Sequence, residues 1–209
     1  MATTTPNYGW TVPTSTDLVK DGATAIETLG DAIDASMNTA LGTKKAGMVL
    51  LNTTSFSAVS TQSVNSVFSA TYDNYLIKVN SAMSNNGVGM SLRVRASGTD
   101  LSSAVYKWSY FFNFSTGAAV QTNNADTATN FTIAGGVNDT GIWNIEMANP
   151  FATKNTHIQF RSGFINPTPA AYNFVGAGSV NNTTSYDGFT LIPDSGTITG
   201  TVSVYGYNK

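Results

Sequence analysis

The side chains that most often carry catalysis are few in these 209 residues and poorly spaced for it. His157, the single histidine, stands beside Ile158 in a stretch of alternating polarity. A Ser-His-Asp arrangement needs a serine presented on a strained turn, and the chain has no Gly-x-Ser-x-Gly elbow to present one. One histidine cannot build a His-rich metal site, and the absence of cysteine removes thiolate ligands, thiol nucleophiles and disulfides together. Cleavage of a glycoside calls for two carboxyl groups about 5 to 9.5 Å apart. Asp73, Asp100, Asp126, Asp139, Glu146, Asp187 and Asp194 fall mainly at expected turns instead, where aspartate is favoured for backbone reasons. Gly176-Ala177-Gly178 has no helix after it and so does not read as a dinucleotide loop. The residue types predict a protein that is not an enzyme and has no cofactor and no metal centre.

Non-covalent recognition is the chemistry that remains. Tyr106, Trp108, Tyr110, Phe112 and Phe114 alternate with Lys107, Ser109 and Asn113. Exposed aromatic faces stack on sugars, but so regular an alternation predicts one face of a strand turned into a core or an oligomer interface. Polarity and turn content point instead to residues 84–89, 117–126 and 166–171 for ligand contact, with no individual ligand-binding residue assigned. At the other end of the chain, Tyr8, Trp10 and Val12 alternate with polar or small residues in 1–13, a segment with two prolines and no helical or strand period. Aromatic side chains on such an extended arm are expected to anchor on another protein. The alternative is that the arm folds back on its own helix or on the β domain.

These groups have to be positioned by the elements between them. Residues 14–41 form the one convincing helix, about 40 Å long at 1.5 Å per residue. With Val19 at heptad position a, Ile26, Ile33 and Ala40 fall at later a positions and Gly22, Leu29 and Ser36 at d positions. The opposite face carries Lys20, Thr24, Glu27, Thr28, Asp31, Asp34 and Asn38. A seam this narrow predicts self-association through Val19, Ile26, Leu29, Ile33 and Ala40, the alternative being a lone helix packed on a sheet. Thr14 with Asp17 three residues later fits a helix start, and Gly42 followed by Lys44 and Lys45 fits its end.

After Gly47 the apolar period becomes two. Strands are expected at 48–51, 63–68, 74–79, 90–96, 105–114, 130–133, 141–148, 156–164, 172–175, 185–192 and 196–207, separated by Asn, Asp, Gly and Pro clusters. In the last of these Thr201, Ser203, Tyr205 and Tyr207 face away from Ile198, Val202 and Val204. The prediction is a mainly β protein: an arm over 1–13, an oligomerising coiled-coil-like helix over 14–42, and an antiparallel, jelly-roll-like β-sandwich over 43–209. Charged residues make up 11% of the chain against an average of about 25%. A net charge of -2 supplies no basic field, so nucleic acid is not an expected partner. No apolar run reaches the roughly 20 residues of a membrane span, and MATTTPNYGW does not read as a signal peptide.

The Thr/Pro arm, the helix DLVKDGATAIETLGDAID, the strand GMVLLNTTSFSA, and the segments VFSATYDNYLIKV, LRVRASGTDLSSAVY and GTITGTVSVYGYN resemble small fibre and tail-associated virion proteins of tailed bacteriophages. That resemblance covers almost the whole chain. It implies a homotrimer assembled in the bacterial cytoplasm and carried on the virion. Tyr8 and Trp10 would belong to the seat on other virion proteins, and Ile26, Leu29 and Ile33 to a three-helix stalk. The β-sandwich heads would face outward towards a host-surface ligand, a glycan in the leading expectation. A decoration or cement protein of the capsid or tail, with no receptor, is the alternative, and a polysaccharide depolymerase a more remote one.

Overall fold

The structure is a computed structural model describing residues 3–14, 18–42, 47–117, 119–165 and 170–209. It separates into two compact units, Met1–Gly47 and Met48–Lys209.

In the first unit the arm is not a free extended segment. Strand β1 (Thr3–Thr4) pairs antiparallel with β2 (Thr11–Val12), and the turn between them is closed by Gly9 N–H donating to Thr5 O at 3.0 Å. Gly9 has φ of 66°, a left-handed conformation that a residue without Cβ adopts at little cost, which lets the chain reverse there. The helix α1 (Val19–Met37) starts later than expected, with Leu18 as an extended N-cap that makes no side-chain cap bond. Asp17, Lys44 and Lys45 lie outside the described residues. The helix ends in a π turn, Asn38–Gly42.

The second unit is a jelly-roll-like β-sandwich. Its strands are β3 (Met48–Val59), β4 (Gln62–Val64), β5 (Asn74–Met83), β6 (Val88–Ala96), β7 (Thr99–Asp100), β8 (Tyr106–Phe114) and β9 (Gln121–Ala128). They are followed by β10 (Phe131–Ala148), β11 (Thr156–Ile165), β12 (Ala171–Val180), β13 (Gly188–Pro193) and β14 (Ile198–Tyr207). One sheet runs β3-β14-β5-β10-β11-β12-β8-β9, antiparallel throughout. In the smaller sheet β13 pairs with β4 and β6, and β6 pairs with β7 and with the first half of β10. Residues expected as two strands around a turn at Asn138–Gly141 are thus a single strand of 18 residues. Its first half lies in one sheet and its second half in the other. What reads as a turn is the bulge where it changes sheet, with Asp139 at φ of 62°.

Between the sheets lies a core of alternating side chains. Tyr75, Ile77 and Val79 come from β5, Met90, Leu92 and Val94 from β6, and Trp143, Ile145 and Met147 from β10. Ile158 and Phe160 of β11, Phe189 and Leu191 of β13, and Val202 and Val204 of β14 complete it. β12 continues through Gly176 and Gly178 because these positions have no room for a side chain. A Cβ on Gly176 would lie 2.4 Å from the Phe160 ring, and one on Gly178 would lie 2.4 Å from the Lys107 carbonyl oxygen.

Candidate functional site

In the first unit the expected seat residues separate. Trp10 is half-buried and its Nε1–H donates to Ser36 Oγ at 3.0 Å, so the hairpin is fastened to the helix of its own chain. Tyr8 stacks on Trp10 with ring centroids 5.1 Å apart and stays 73% exposed, while Val12 is half-buried. The heptad seam is likewise divided. Leu29 and Ile33 are half-buried, whereas Val19 is 96% and Ile26 65% exposed. Ala40 does not continue the seam as expected: it lies in the π turn, whose i to i+5 hydrogen bonding rotates the chain off the heptad phase.

The aromatic run on β8 does face inward. Tyr106 and Tyr110 are buried, and Trp108, Phe112 and Phe114 are half-buried. Phe112 stacks on Phe174 at 4.8 Å, and Phe114 meets Tyr172 edge-on at 4.2 Å. Of the three expected contact segments, 84–89 covers the turn from β5 in one sheet to β6 in the other, where Gly87 has a left-handed φ of 73°. Most of the second is not a loop, because residues 121–128 form the edge strand β9. Residues 166–169 of the third lie outside the described residues.

A broad concavity lies on the outer face of the eight-stranded sheet, where the side chains of alternate residues stand in cross-strand rows. One row is Tyr205, Leu76, Glu146, Gln159, Ala177, Ser109 and Asn124. The adjoining row is Ser203, Lys78, Asn144, Arg161, Val175, Phe111 and Thr122. Each row crosses seven strands, roughly 29 Å at about 4.8 Å per strand. Short side chains at Ser109, Val175 and Ala177 make a low floor between longer ones, and a groove of about 890 Å³ opens there. Leu76, Asn144, Glu146, Gln159, Arg161 and Phe111 border it. A second groove of about 540 Å³ shares Glu146 and Gln159 with the first and continues past His157, Asn74 and Tyr207.

Chemically the face offers amide groups at Asn124, Asn144 and Gln159, which both donate and accept, beside a Phe111 ring that is 49% exposed. The Tyr207 hydroxyl donates to the Glu146 carboxylate; burial and then this neighbouring negative charge hold its pKa above the usual phenol range. His157 is exposed across from Ser179, and its side chain has no hydrogen-bond partner among the described residues. Among the described residues no group of three or more His, Cys, Asp or Glu could hold a metal ion, and no helix is long and apolar enough to cross a membrane.

Reading the sequence for loops and strand alternation misses this face. Phe111 was the available signal, as the one aromatic that breaks the alternation of its strand and therefore points the other way. Asn144, Gln159 and Arg161 show no pattern in sequence, since they converge only through register.

No family model matches this chain, and no curated protein does. Among solved structures, the crystal structure of galectin LEC-6 from Caenorhabditis elegans is similar, at 9% identity and a TM-score of 0.33 over 78% of this chain and 99% of that one, a likeness too distant to carry an argument about fold or ligand.

Proposed function

We propose that this protein is a structural virion component of a tailed bacteriophage, a trimeric fibre whose β-sandwich heads bind a host-surface glycan. The observation that carries the reading is the groove across the outer sheet face. It presents amides and a half-exposed aromatic ring in one open, shallow row, which suits the alternating hydroxyl and apolar faces of a sugar chain. The helix supports the trimer: Val19 and Ile26 are one heptad apart and both lie in water in the isolated chain, an arrangement that burial between sister helices would relieve. Three copies on one stalk would raise a weak glycan affinity through multivalency. Tyr8, the exposed aromatic at the hairpin tip, is the residue assigned to the seat on the particle.

Two measurements test this reading. Mass photometry of the purified protein should give three chains per particle, and Ile26→Asp should reduce this to one. Binding to immobilised host-surface oligosaccharides should fall with Phe111→Ala or Gln159→Ala. A protein that is monomeric at micromolar concentration, or whose retention on glycans ignores both groove variants, refutes the corresponding half. Trimers on the particle that bind no host surface would instead support the decoration-protein reading.

A further inference from the structure

Resting on the glycan-binding reading above, the geometry points to a carboxylate-bearing saccharide as the ligand of the outer-face groove, with Arg161 and Lys78 as the residues that select it. Four cations of the sandwich already have partners. Arg95 is ion-paired to Asp100, Lys107 to Asp126 and Lys209 to Asp73. Arg93 Nε–H donates to the Thr129 carbonyl oxygen at 3.0 Å. Arg161, Lys78 and Lys154 have no ion pair and no side-chain hydrogen bond among the described residues; Lys154 lies in the turn between β10 and β11, so on the groove face it is Arg161 and Lys78 that stand unpaired.

Both stand in the same cross-strand row with only Asn144 between them, so their Cα atoms are about 10 Å apart. Two cations separated by an amide form a positive strip that a single anionic group can bridge. The nearby carboxylate, Glu146, is one row away; it accepts from the Tyr207 hydroxyl and makes no ion pair with Arg161 or Lys78. Asp126, at the edge of the face, is held by Lys107. Neither forms an ion pair with the strip.

Phe111 fixes the rest of the ligand. It lies in the same row, two strands from Arg161 across the short Val175, which places the two Cα atoms about 10 Å apart. A pyranose resting on that ring with its carboxylate directed along the row meets the planar two-donor fork that arginine offers to carboxylates. A bare anion would leave Phe111 unused, and a neutral sugar would leave Arg161 and Lys78 unused.

The test compares three probes on the full chain by isothermal titration: a neutral hexose oligosaccharide, a uronic-acid oligosaccharide of equal length, and a sulfated neutral oligosaccharide. The uronic-acid chain is expected to bind about tenfold or more tighter than the neutral one, with an affinity that falls as salt rises. Arg161→Ala should abolish that preference, Arg161→Lys should restore only part of it, and Lys78→Ala should lessen the salt dependence. These side chains are exposed, and unchanged melting of the variants establishes that they fold. Equal binding of neutral and uronic-acid chains, or a preference that survives Arg161→Ala, overturns the assignment while leaving glycan binding intact. Tighter binding of the sulfated chain overturns the choice of carboxylate. Binding of none of the three removes the glycan reading itself, and this inference with it.

Discussion

The indole of Trp10 and the hydroxyl of Ser36, 26 residues apart in sequence, are joined by a 3.0 Å hydrogen bond that fastens the N-terminal hairpin to its own helix. An aromatic residue that the sequence offers to a partner is therefore already engaged within the chain, and Tyr8 stacked upon it is what remains outward. Ser36→Ala removes the acceptor and should cost the first unit about 1 kcal/mol. Amide exchange in Thr3–Thr4 and Thr11–Val12 should quicken several-fold while exchange in the sandwich stays the same.

Two glycines should respond in opposite directions to the same substitution. Gly176→Ala places a methyl group 2.4 Å from the Phe160 ring and 2.8 Å from the Ser109 carbonyl oxygen, and the backbone cannot yield as a side chain could. A loss of about 2 to 4 kcal/mol is expected, read as a fall in the denaturant midpoint of the sandwich. Gly30→Ala meets nothing within 4 Å on the helix and should gain about 1 kcal/mol, visible as increased helical circular dichroism on warming.

Tyr106 is the residue through which alkaline pH should act. Its hydroxyl donates to the Leu101 carbonyl at 2.9 Å and accepts from Val94 N–H at 3.1 Å, and burial holds its pKa well above the usual phenol range. Burial also raises Tyr75 and Tyr186. Because the folded state keeps these phenols neutral after the unfolded chain begins to ionise near pH 10, their contribution is complete below about pH 10 and declines as pH rises further. Melting temperature should be flat from pH 7 to 9 and fall beyond pH 10. Tyr106→Phe should lower stability at pH 7 by about 1 to 3 kcal/mol, from two orphaned backbone groups, and make the alkaline decline shallower.

Arg95 ties together the open end of the small sheet. Its guanidinium donates to Asp100, Asn65, Ser63 and Thr190 and to the Gly98 carbonyl, with its side chain only 12% exposed. Arg95→Ala leaves Asp100 without its counter-charge and should destabilise by about 2 to 3 kcal/mol in thermal unfolding. Arg95→Lys retains the charge but not the fork and should recover less than half of that loss.

The class of fold was legible because inward residues of β5, β6 and β11 alternate without interruption, and period two is a strong local signal. The limits of several strands were not. Gly176 and Gly178 read locally as a break in β12, whereas their meaning is set by the Phe160 ring and the Lys107 carbonyl opposite them. Residues 117–126 looked like a loop because an edge strand with two wet faces has no apolar period to betray it; β9 is polar nearly throughout. The groove escaped for a related reason. Leu76, Phe111, Asn144, Gln159 and Arg161 lie on four strands far apart in the chain, and only the pairing register brings them side by side.

The 18-residue strand that leaves one sheet at its bulge and enters the other has a mechanical consequence. A pull that would peel the two layers apart must first load a continuous covalent backbone through Asp139, so delamination is resisted by peptide bonds as well as by the oily contact beneath. The sandwich should yield by sliding of its hydrogen-bonded ladders past one another, a route that demands more force than parting the layers.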